Sequence, residues 1–129
     1  MTELNRLPQS EQKPATIDED HLGRMTLGDR SLEREVLEIF ARQTTLTLGR
    51  IVGAKRACAA AAAHTLKGSA RGIGAWRVAE AAEKLEQVAA GDADEQALCA
   101  AIAALEAASQ EVRAAIGVRL GGGDQSAAA

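Results

Sequence analysis

From Ala54 to Ile116 the apolar residues recur at intervals of three and four, and most of them are alanine. That interval follows the 100° turn of an α-helix and not the alternation of a strand. The whole chain has one Phe, one Trp and no Tyr, and its β-branched residues never cluster in alternation. A core built without aromatic bulk reaches native packing density only if helices approach closely over small side chains. The expected fold class is therefore all-α, an antiparallel up-and-down four-helix bundle with a short extra N-terminal helix. A length of 129 residues with 47% apolar content suffices for one such domain.

Capping and turn residues divide the chain. Asp18 reads as an N-cap with Glu19 and Asp20 in the first turn of a short helix ending near Met25. Asp29 or Ser31 caps the next, whose inner face is traced by Leu32, Val36, Phe40, Thr47 and Ile51. Gly49 and Gly53 weaken its end, and a third helix starts between Ala54 and Ala57 and stops near Ile73, bracketed by Gly72 and Gly74. Val78, Ala81, Ala82, Leu85 and Val88 form the core stripe of a fourth, with Arg77, Glu80, Glu83, Lys84 and Glu86 outward. After a turn capped by Asp92 or Asp94, the seam Leu98, Ile102, Leu105, Val112 and Ile116 marks the last helix, with Gly117 as its stop. Residues 1–16 and 119–129 read as flexible tails around a 17–118 bundle. Trp76 reads as a plug over the bundle end, and Cys58 and Cys99 as reduced, small core fillers without zinc spacing.

A net charge of -3 with scattered basic residues argues against a nucleic-acid binder. No run approaches the roughly 18 apolar residues of a membrane span, and the N-terminus lacks the apolar stretch of a signal peptide. A cytoplasmic protein with no membrane partner is expected.

Function is legible in one stretch, His64-Thr65-Leu66-Lys67-Gly68-Ser69. On a helix Lys67, Gly68 and Arg71 lie within roughly 60° of His64, whereas Leu66, Ala62 and Ile73 point away. The imidazole therefore faces water or a partner, and a neutral ring offers a nucleophilic lone pair, with Nε2 projecting furthest. Glycine inside a helix costs about 1 kcal/mol relative to alanine, so Gly68 implies a site that must stay open. Side chains lean toward the helix N-terminus, and a residue at position 68 would lean over His64. Lys67 and Arg71 could neutralise a phosphoryl group on the histidine, and Ala57, Ala60 and Ala61 offer a partner a surface of small residues. The same stripe also reads as the solvated face of an amphipathic helix, and spacing alone leaves both readings open. His21 has no glycine four positions on and only Arg24 as a nearby cation, so it is not the expected acceptor.

The run from His64 through Leu66, Lys67 and Gly68 to Gly74-Ala75, with Ala82, Leu85 and Glu86 beyond, resembles the signature of histidine-containing phosphotransfer (HPt) domains. The resemblance covers roughly Ile17 to Ile116. It implies a helical bundle in which His64 is phosphorylated, Lys67 assists the phosphoryl group and Gly68 admits the partner. It further implies a relay between the receiver domains of a hybrid histidine kinase and a response regulator. The chain itself then needs no cofactor, and any magnesium belongs to the receiver. No Gly-rich nucleotide loop is present, so a phosphoryl carrier is expected and not an ATP-dependent kinase. A bundle that closes its own core is expected to be a monomer. Two other classes compete: a kinase dimerisation hairpin, which usually follows its histidine with an acidic residue and proline where Thr65 and Leu66 stand, and a non-catalytic helical interaction bundle.

Overall fold

The computed structural model of the chain describes residues 16–128, with side chains described to residue 121. Of the proposed tail over residues 1–16, residues 1–15 lie outside the described residues. Five helices and no strand make up the described chain: α1 (Glu19–Met25), α2 (Arg30–Ile51), α3 (Arg56–Ile73), α4 (Trp76–Ala90) and α5 (Glu95–Ala128). Helix α2 packs on α3, α3 on α4, α4 on α5, and α5 back on α2, which closes a four-helix bundle, while α1 rests on α3.

Each boundary has a local cause. Asp18 accepts a hydrogen bond from the His21 backbone N–H (3.1 Å) and caps α1, and Asp29 does the same for α2 through Leu32 (3.0 Å). Gly74 takes the left-handed conformation (φ 83°) that ends α3. A side chain is excluded there twice over, because a Cβ would stand 2.9 Å from Asp18 Cβ. Asp94 receives the Ala97 N–H at 2.9 Å and starts α5. The N-terminus of α3 has no side-chain cap; instead the Arg56 guanidinium donates to the carbonyls of Val88 (3.3 Å) and Ala93 (2.6 Å) and locks the turn after α4.

Close approach over alanine is how the core forms. Helix α3 buries Ala59, Ala63, Leu66, Ala70 and Ile73, and α4 answers with Val78, Ala79, Ala82, Leu85 and Ala89. From α5 come Leu98, Ala101, Leu105, Val112 and Ile116. Small side chains bring the α3 and α4 backbones together, and the leucines between them fill what remains.

Several expectations are corrected. On α2 the buried face is Leu37, Phe40, Thr44, Thr47, Leu48 and Ile51, whereas Leu32 is exposed and Val36 only half-buried. Thr44 hides its hydroxyl by donating to the Phe40 carbonyl at 2.7 Å, which lets a polar residue serve the core. Cys58 and Cys99 are free and exposed, beside the apolar stripes and not in them. Helix α5 does not stop at Gly117 but runs to Ala128. Gly117 lacks the positive φ of a C-terminal cap, Leu120 packs against the core, and Arg119 holds the following turn by pairing with Glu19 and with Glu33 (2.8 Å). Trp76 is more than a plug: its indole N–H donates to Asp18 at 2.9 Å and its ring lies 4.9 Å from that of His21, tying α1 to the start of α4.

Candidate functional site

His64 stands near the middle of α3 with Leu66 fully buried behind it, so the helix that carries it is pinned by the core about half a turn away. Its own side chain is 66% exposed. The ring is nevertheless not free to turn. Nδ1 lies 2.8 Å from Oε2 of Glu86 on α4, and the other carboxylate oxygen, Oε1, receives a hydrogen bond from Nζ of Lys67, also at 2.8 Å. An ionised carboxylate only accepts, so the nitrogen that faces it carries a proton, and in the neutral ring Nε2 then keeps the lone pair. The Lys67 ammonium, and after it His64, hold the Glu86 carboxyl below its ordinary range against an opposing loss of solvation.

Lys67 and Arg71 do share the histidine's side of the bundle, but neither is a spare cation. Lys67 is held by Glu86 and its side chain is only 16% exposed, and Arg71 pairs with Glu83 at 3.1 Å. Two cations and two carboxylates leave the face electrically balanced. Gly68 is exposed, and a Cβ built on it meets no atom within 4 Å, so the absent side chain leaves open space and is not required by packing inside the bundle. Of the small residues, Ala57 and Ala61 are exposed whereas Ala60 is half-buried against the core. Next to Thr65 a shallow groove runs between α2 and α3, lined by Ile39, Leu46, Arg42 and Arg50 with Ala62. Ile39 and Leu46 are large apolar side chains left 50% and 63% exposed. Among the described residues no group of His, Cys, Asp and Glu is arranged to hold a metal ion, and no helix is long and apolar enough to cross a membrane. His21 is away from this cluster, half-buried against Trp76.

Sequence reasoning placed Glu86 on the outward side of α4 and in the family-like run, but missed it as the partner of His64 and Lys67. The signal was available. An antiparallel hairpin that turns at Gly74 and Ala75 sets position 86 opposite 63 and position 83 opposite 66, from where their long side chains reach His64, Lys67 and Arg71.

The Hpt domain family model matches residues 33–115. Among solved structures the chain is similar to an X-ray structure from rice assigned as a histidine-containing phosphotransfer protein, at 19% sequence identity and a TM-score of 0.69, covering 89% of this chain and 84% of that one. At that identity the likeness speaks for the fold. No curated protein matches the chain.

Proposed function

The chain belongs to the Hpt domain family, and on that premise we propose that His64 accepts a phosphoryl group from the aspartyl phosphate of one receiver domain and delivers it to the aspartate of another. The observation that carries the reading is an exposed imidazole whose Nδ1 is engaged by Glu86, leaving Nε2 as the atom that meets the partner. In-line attack by a positioned nucleophile needs access more than it needs further catalytic groups on this side. Open space at Gly68 and the small surfaces of Ala57 and Ala61 supply that access. The partner's body is proposed to extend over the neighbouring groove, where Ile39 and Leu46 would be covered and Arg42 and Arg50 would favour an acidic rim. Lys67 lies one turn from His64 and is proposed to share its charge between Glu86 and the incoming phosphoryl group.

Incubation with a receiver domain phosphorylated on its aspartate tests the relay. Acid-labile label should appear on the wild-type chain, pass to a second unphosphorylated receiver, and be absent from His64→Gln. Label that persists on His64→Gln, or a wild-type chain that takes none, overturns the assignment.

A further inference from the structure

Helix α2 leaves three large apolar side chains exposed, Leu32, Ile39 and Leu46, each seven residues from the next. Seven residues come within about 20° of two full turns, so the three stand in one line along the outside of the bundle, about 10.5 Å apart in height. None of them serves the core, which takes Leu37, Phe40, Leu48 and Ile51 from the same helix. Between them stand two exposed charges of opposite sign, Glu35 and Arg42, both on the same edge of the line and roughly 40–60° from Ile39 around the helix. Among the described residues neither forms an ion pair within the chain.

We propose that this face of α2 packs against the same face of a second copy of the chain, antiparallel and about a two-fold axis at Ile39. A two-fold axis lets one patch meet itself, and every contact off the axis then occurs twice. Ile39 meets its own counterpart, and Leu32 comes level with Leu46 of the second copy on both sides, which gives three apolar layers over about 21 Å. Glu35 stands four residues before the axis and Arg42 three after it, so Glu35 and Arg42 of the second copy differ by only about 1.5 Å in height, within reach of their side chains. The rotation keeps each edge on its own side, and both ion pairs close the same edge. A parallel pair would instead set Glu35 beside Glu35 and Arg42 beside Arg42, so the charges select the antiparallel one. A strip about 21 Å long and 10–12 Å wide covers on the order of 250 Å², well under the roughly 800 Å² per partner of a stable complex. The pair therefore forms at high concentration and separates on dilution, each chain being held by its own closed core. The receiver proposed above takes Ile39 and Leu46 as well, so the two occupants exclude each other, and self-association shields the groove beside Thr65.

Sedimentation equilibrium of the whole chain, from roughly micromolar to millimolar protein, reads the association. A reductant keeps the exposed Cys58 and Cys99 from cross-linking two chains. The wild-type mass should rise with concentration from one chain toward two. Ile39→Asp brings two carboxylates together on the axis and should stay one chain throughout, with a melting curve near that of the wild type because the side chain is exposed. Glu35→Arg and Arg42→Glu should each weaken association roughly tenfold or more, since each sets like charges opposite one another. Mixed in equal amounts, those two variants should associate as well as the wild type, because every cation then faces a carboxylate of the other chain. A wild type that stays one chain at every concentration, an Ile39→Asp chain that still pairs, or a mixture that associates no better than either variant alone overturns the pairing. Failure of the relay is a separate result, no label taken from a phosphorylated receiver, and leaves the mass measurement to decide for or against the second copy.

Discussion

Replacing Gly68 separates the stability of α3 from the use of its surface. Gly68 lies in the helix interior with normal helical backbone, is exposed, and offers a new Cβ nothing within 4 Å. Substitution therefore returns the propensity difference with no packing cost: about 1 kcal/mol for Gly68→Ala and roughly half of that for Gly68→Gln. For a domain of this size 1 kcal/mol corresponds to about 4 °C, so melting should rise by about 4 °C for Ala and about 2 °C for Gln. The Gln side chain, leaning toward the N-terminus of α3, covers the surface beside His64, and receiver-to-His64 transfer should fall roughly tenfold or more if the reacting atoms are held apart by even an ångström. Gly74→Ala supplies the contrast, since its positive φ and a Cβ 2.9 Å from Asp18 Cβ make that substitution destabilising, by about 2 kcal/mol. Thermal unfolding by circular dichroism and transfer from a phosphorylated receiver, run on one preparation, read both effects. A Gly68→Gln protein that melts lower refutes the open-space reasoning, and one that melts higher but transfers at the wild-type rate refutes the access role.

His64→Gln should leave melting within about 0.5 kcal/mol of the wild type, because the side chain is 66% exposed, while abolishing acid-labile phosphate in an autoradiograph. Lys67→Ala should slow transfer without abolishing it, and Lys67→Arg should keep more activity because it can still hold Glu86; rapid-quench rates equal in all three proteins would remove Lys67 from the mechanism. Leu66→Ala, two residues from the proposed phosphoryl acceptor but with its side chain fully buried, should cost about 2–5 kcal/mol in a denaturant titration, a loss of stability that His64→Gln does not share.

What the order of residues determined by itself is the class of fold and the helix face on which the candidate site lies. Alanine at helical spacing with almost no aromatics can be buried only by close helix packing, and the turns at Gly53, Gly74 and Asp94 follow from residues whose conformational or capping preferences are local. Placing His64 and Gly68 on the outer side of α3 needs nothing but the helical period and the positions of Ala63, Leu66 and Ala70. Tertiary structure decided everything that depends on a neighbour. The shift of the α2 face from Leu32 to Leu37 and Leu48 depends on where α3 and α5 cover it, and α5 outlasts Gly117 because Arg119 finds Glu19, 100 residues away along the chain, and Glu33, 86 residues away. Most of all, the charge balance at the site was invisible along the sequence. Lys67 and Arg71 read as free cations until the α3–α4 hairpin set Glu86 and Glu83 against them, because a side chain's protonation partner is chosen by distance in space and not by distance along the chain.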